Sequence, residues 1–118
     1  MKLYYAPGAC SLSPHIVLEE SGLPFELEKV DLQTKETASG HDFYLVNTKG
    51  SVPALELDDG QVLTEGAAIV QYLGDQVPEK ELIPLPKTME RYRVMEWLNF
   101  IATELQKSFT PIFNPAYT

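Results

Sequence analysis

Apolar and polar positions along this chain change rhythm several times, and each change marks an element. Lys2-Leu3-Tyr4-Tyr5 is an aromatic-rich run that stops at the Pro7-Gly8 break, and it reads as a strand. From Ser11 to Ser21 the pattern turns helical. Ser11 and Ser13 are N-cap candidates, Pro14 suits a first helical turn, and Gly22 suits the position just past the end. Phe25 to Leu32 predicts a second strand, Thr34 to Gly40 a polar loop, and His41 to Val46 a short helix ending near Asn47. Gly50 to Asp58 reads as a third strand. Asp59-Gly60 then predicts a two-residue hairpin that returns through Gln61-Val62-Leu63. Thr64 is placed to cap a helix from Glu65 to Gln76, with Ala67, Ala68, Ile69 and Tyr72 as its apolar stripe.

The order β-α-β, short helix, β-hairpin-α over residues 1–78 predicts a thioredoxin-like α/β domain, a small mixed sheet with helices on its faces. Pro78, Pro84 and Pro86 mark a linker over 79–87. Thr88 is placed to cap a long helix from Met89 to Phe109. In it Tyr92, Met95, Leu98, Phe100, Ile101, Leu105 and Phe109 recur at three- and four-residue steps. That helix has little to pack on. The stretch 88–118 is therefore read as the first helix of an all-helical second domain in a truncated chain. The alternative is a helix that docks on the small sheet or on a partner chain.

Composition narrows the function classes. The 118 residues carry 9 Lys+Arg against 17 Asp+Glu, a formal net charge of −8, which argues against a nucleic-acid partner. With 44% hydrophobic and 22% charged residues the chain is not a disordered acidic tail. Its apolar runs fall far short of the roughly 20 residues that span a bilayer, and the N-terminus has no signal-peptide pattern. The single cysteine, Cys10, excludes an intramolecular disulfide and any Cys-based zinc site. Neither His15 nor His41 has a partner at metal spacing, so no metal is expected. The expected location is the cytoplasm.

Four features carry candidate chemistry. Cys10 lies between the first strand and the first helix, where helix N–H groups favour a thiolate, and Cys10-Ser11-Leu12-Ser13 has the Cys-x-x-Ser form. A small buried core cysteine is the alternative. Val52-Pro53 opens a strand with a residue that cannot donate to the ladder. If its bond is cis, Val52 turns its backbone groups outward for an extended peptide; if trans, it is an ordinary edge proline. Glu65-Gly66 opens a helix whose N–H groups can bind a carboxylate, with Glu65 able to accept from an ammonium group and Gly66 allowing close approach. Simple capping by Thr64 is the alternative. Lys35, Lys49 and Lys107 are candidate counter-charges to an anionic ligand, or solvated surface lysines. Tyr4 and Tyr5 are either core residues or phenols facing a thiol.

Together these residues resemble the beta class of bacterial glutathione S-transferases. The likeness lies in Met1–Leu12, in Asn47–Leu55, in Leu63–Ile69 and in Glu96–Leu105, in that order along the chain. The resemblance implies a homodimer that binds glutathione as co-substrate, takes a hydrophobic electrophile and needs no cofactor. It implies that Cys10 lies beside the glutathione sulfur, with Tyr5 or Ser11 supplying a hydroxyl. Val52, next to a cis Pro53, would pair with the cysteinyl unit, Glu65 and Gly66 would hold the γ-glutamyl end, and Lys35 the glycine carboxylate. Asn99, Thr103, Glu104, Gln106 and Lys107 would line the site from the helical part, some across the dimer. Two positions depart from the family pattern, which often has histidine in place of Gln106 and a small hydroxyl residue in place of Gly66. The expected reaction is attack of the glutathione thiolate on an electrophilic small molecule. A glutaredoxin-like thiol–disulfide reductase with Cys10 as nucleophile, or a non-catalytic binding module, are the alternatives. The fragment alone is expected to have weak or no activity.

Overall fold

The protein is described from a computed structural model, which covers residues 1–113. The expected features of the tail Asn114–Thr118 lie outside the described residues. The chain divides into two compact units, Met1–Leu82 and Ile83–Thr118.

The first unit is a five-stranded mixed sheet in the order β3-β2-β1-β4-β5. Its strands are β1 (Lys2–Tyr5), β2 (Glu26–Asp31), β3 (Glu36–Thr37), β4 (Ala54–Glu56) and β5 (Val62–Thr64). β1 runs parallel to β2 and antiparallel to β4, as a β-α-β unit followed by a hairpin requires. Two helices complete the unit, α1 (Leu12–Ser21) and α2 (Gly66–Gln76).

The alternation along the strands builds two cores. Leu3 and its cross-strand partner Leu55 face the helices and pack with Leu18, Ile69 and Leu73, all fully buried. Tyr4 and its partner Ala54 face the other way, onto Val30 and Phe43. Each such aliphatic side chain contributes about 1.5–3 kcal/mol, so both faces of β1 hold it in the middle of the sheet.

Several local expectations change. The stretch Thr34–Gly40 contains β3, antiparallel to β2, because Thr37 pairs with the buried Val30. The 41–46 helix is a 3-10 turn over Phe43–Leu45, started by Asp42, whose side chain accepts from the Tyr44 N–H. The hairpin loop has three residues rather than two. The Leu57 N–H donates to the Gln61 carbonyl, and Gly60 at φ 89° supplies the left-handed position that lets Asp58-Asp59-Gly60 close it. Thr64 does not cap α2. It remains in β5 opposite Ala54, and Glu65 takes the position before the helix with no side-chain cap bond.

In the second unit, α3 (Met89–Phe100) starts as expected, with the Thr88 hydroxyl accepting the Arg91 N–H at 3.1 Å. It does not continue as a regular helix to Phe109. A π-turn over Ile101–Leu105 is closed by the Gln106 N–H on the Ile101 carbonyl at 2.8 Å, then a 3-10 turn covers Lys107–Phe109 and α4 follows at Thr110–Phe113. Within this stretch the Thr103 hydroxyl donates back to the Asn99 carbonyl at 2.8 Å, a competing donor that favours a local bend. Much of the apolar surface of this unit is open, with Trp97 63% exposed.

Candidate functional site

Register decides which loops meet. Tyr4, Ala54 and Thr64 lie side by side across β1, β4 and β5. Since β4 is antiparallel to both neighbours, the exit of β1, the entry to β4 and the exit of β5 fall at the same end of the sheet. Those three segments carry Cys10, Val52-Pro53 and Glu65-Gly66. The exit of β2, parallel to β1, sends Lys35 to the same end. The sequence thus places its candidates in four separate loops, and the sheet brings the loops together.

The Cys10 turn is tightly built. Ala6 is buried, and its carbonyl accepts the Ala9 N–H at 3.2 Å. The Ser11 side chain, 2% exposed, accepts the Ala6 N–H at 3.2 Å and donates to the Ala6 carbonyl at 3.1 Å. Ser11 is the N-cap residue before α1, has helical backbone and makes no side-chain cap bond, because its hydroxyl is directed back to Ala6. Cys10 is exposed, so the buried-core alternative does not hold. Tyr5 ends β1 with its ring 6.4 Å from His15, which in turn meets Phe25 edge-on at 6.0 Å. His15 lies 3.6 Å from Glu19 on the same helix.

The Val52-Pro53 bond is cis, and Pro53 is buried. Across from it, a Cβ built at Gly66 would stand 3.9 Å from Pro53 Cγ, so these two candidates are neighbours. Glu65 sits at φ 73°, a backbone region that costs a non-glycine residue about 1–3 kcal/mol and persists only where the surroundings impose it. Its carboxylate lies 3.6 Å from Lys49 Nζ, which also donates to the Thr64 hydroxyl at 3.3 Å. Lys35, also left-handed at φ 61°, donates to the Gly50 carbonyl at 2.8 Å.

Sequence reasoning missed Asn47, which organises this loop. It is 5% exposed; its amide donates to the Ser51 carbonyl at 2.8 Å and its Oδ1 accepts the Lys49 N–H at 3.1 Å. The Asn-Thr-Lys-Gly run was a signal for it, since asparagine tends to bond its own backbone two residues on. The helical-unit candidates Asn99, Thr103, Glu104, Gln106 and Lys107 are all exposed and lie on or beside the π-turn. Such turns recur at functional sites, and this one re-aims the side chains that follow it. Among the described residues no cluster of His, Cys, Asp or Glu could hold a metal ion, and no helix is long and apolar enough to cross a membrane.

A groove of about 640 Å³ lies at the opposite end of the sheet, lined in part by Met1, Lys2, Phe25, Glu56 and Asp58. Two of its charges already meet, the Met1 ammonium and Asp58 at 2.7 Å. It shares no residue with the loop cluster.

Residues 8–76 match the family model for the glutathione S-transferase N-terminal domain. The chain is 57% identical over 115 residues to glutathione S-transferase GstA of Escherichia coli O157:H7, covering 98% of this chain and 57% of that protein. Among solved structures it is similar to a beta-class glutathione S-transferase of Sphingomonas chungbukensis, with a TM-score of 0.96 and 50% identity, over 98% of this chain and 57% of that one. It is also similar to a sphingomonad glutathione S-transferase complexed with glutathione, with a TM-score of 0.97 and 49% identity, over 100% of this chain and 59% of that one. The chain therefore spans less than two thirds of the length of each of these relatives.

Proposed function

The chain belongs to the glutathione S-transferase family, with beta-class bacterial enzymes among its structural neighbours, and on that premise we propose that the protein conjugates glutathione to electrophilic small molecules. The observation that carries this reading is the convergence of Cys10, the cis Val52-Pro53 bond and Glu65-Gly66 at one end of the sheet. Glutathione is a tripeptide with two carboxylates, one ammonium and a thiol. The Val52 backbone can pair with its cysteinyl unit as an added strand. The N–H groups at the start of α2 can take a carboxylate, Glu65 an ammonium, and Lys35 the second carboxylate. The sulfur then lies by Cys10, near the start of α1, where the helix field favours a thiolate over a thiol of ordinary pKa about 8.5. The thiolate attacks the electrophilic carbon, forming the C–S bond as the leaving group departs.

In this reading Ser11 is the brace of the Cys10 turn rather than a donor to the sulfur, since its one O–H is given to Ala6. Asn99, Thr103, Glu104, Gln106 and Lys107 contribute to glutathione binding from the helical part, in a cytoplasmic homodimer that needs no cofactor. The exposure of Cys10 favours one second reading, a reductase in which the Cys10 thiolate attacks a glutathione-containing disulfide and forms a mixed disulfide while the other thiolate leaves.

The test is calorimetric titration of the intact protein with glutathione, together with turnover of an activated aryl halide and of a mixed disulfide, in wild type and Cys10→Ala. Glutathione binding with aryl-halide turnover that survives Cys10→Ala supports the transferase. Disulfide turnover lost in Cys10→Ala, without aryl-halide turnover, supports the reductase. Absence of glutathione binding refutes both.

A further inference from the structure

Lys49 is a basic residue at this end of the sheet that the reading above leaves without a task. Its position is built. Asn47 holds its backbone N–H, and the Gly50 N–H that follows donates to the Asn47 carbonyl at 2.8 Å. The ammonium group reaches the Thr64 hydroxyl and lies 3.6 Å from the Glu65 carboxylate, immediately before α2. Both partners are open to solvent, 57% and 73% exposed, so the pair contributes little to stability and opens readily. Glu65 nonetheless holds a left-handed backbone, which points to a demand other than stability at this spot.

A separated plus and minus charge, next to the unsatisfied N–H groups of a helix start, is the complement of an α-amino-acid zwitterion. Position 66 is glycine, so no side-chain hydroxyl is available there for the carboxylate. We propose that Lys49 determines specificity for the α-carboxylate of the γ-glutamyl end. On binding, the Lys49–Glu65 pair exchanges its internal contact for the ligand's two charges, with Lys49 receiving the carboxylate and Glu65 the ammonium. This rests on the glutathione-binding reading and adds to it a residue and a ligand group.

Three peptides separate the charges: glutathione, 4-aminobutyryl-cysteinyl-glycine, which lacks the α-carboxylate, and glutaryl-cysteinyl-glycine, which lacks the α-ammonium. Dissociation constants for all three are measured by titration on the intact protein as wild type, Lys49→Met and Lys49→Arg. Lys49→Met is expected to weaken glutathione and the glutaryl peptide by about 5-fold, the scale of one partly exposed charge contact. The 4-aminobutyryl peptide should bind unchanged or tighter, because Glu65 has lost its competing cation. Lys49→Arg should restore most of the loss. Equal weakening of all three peptides would show that Lys49 only shapes the loop, and unchanged glutathione affinity in Lys49→Met would show that it contributes nothing; either overturns the proposal while glutathione binding stands. Failure of the wild type to bind glutathione at all would remove the underlying reading as well.

Discussion

Replacing Ser11 by alanine tests whether the Cys10 turn is held from within. The Ser11 hydroxyl is buried and bonds Ala6 twice, once as acceptor and once as donor. Each neutral hydrogen bond contributes about 1 kcal/mol net, and a buried donor left unmade costs about 1–3 kcal/mol. The Ala6 carbonyl keeps the Ala9 N–H after the change, but the Ala6 N–H loses the hydroxyl. The expected loss is therefore about 2–3 kcal/mol. With a urea m-value of about 2 kcal/mol/M, the unfolding midpoint should fall by about 1–1.5 M. Equilibrium urea unfolding at matched protein concentration reads this directly, with Ser13→Ala as control. Ser13 is exposed, and its truncation should stay within about 0.5 kcal/mol. A Ser11→Ala loss no larger than that of the control would refute the reasoning, because the turn would then hold its shape without the hydroxyl.

Gly66→Ala should be accommodated, since the new Cβ meets Pro53 Cγ at 3.9 Å, and should raise thermal stability by about 0.5 kcal/mol with glutathione affinity retained. Gly50→Ala should do the opposite. Gly50 sits at φ 69° and its Cβ would come within 2.6 Å of Tyr44 Cε1, so a loss of about 1–3 kcal/mol is expected in urea unfolding, part of it recovered in the double variant with Tyr44→Ala. Hydrogen bonds from Thr37 and Ser39 hold the Glu28 carboxyl below its ordinary 4.5. A depressed carboxyl stabilises the fold above its unfolded pKa and loses that contribution as pH falls through the folded one, so stability should decline below about pH 4.5. Thr37→Val with Ser39→Ala should flatten that decline in acid titrations followed by circular dichroism, and an unchanged slope would remove Glu28 as its source.

The elements that were legible in the sequence are those whose signals are local. Pro14 and Gly22 bracket α1, and Gly22 closes it in the left-handed region. Thr88 caps α3 through a bond three residues long. The place of the hairpin is a local signal but its length is not, because Asp-Gly fits a two-residue and a three-residue loop alike, and only the Leu57–Gln61 bond selects between them. The π-turn was not legible, since Ile101–Leu105 has the spacing of an ordinary helix. Thr37 reads as loop until Val30 is beside it.

The same division holds at the site. The sequence alone determined which residue types were present and in what order: a lone cysteine before a helix, a proline opening a strand, an acid and a glycine opening another helix. Those are properties of neighbours along the chain. The tertiary structure decided what they do to one another. It put the four loops at one sheet end, turned the Ser11 hydroxyl to Ala6 instead of the helix, and set Lys49 against Glu65, sixteen positions on. Those pairings follow from strand register, which the burial of Leu3 against Leu55 and of Tyr4 against Ala54 fixes at once for the whole sheet. A one-residue slip would turn both faces inside out. The site is a consequence of that packing, and no window of the sequence contains it.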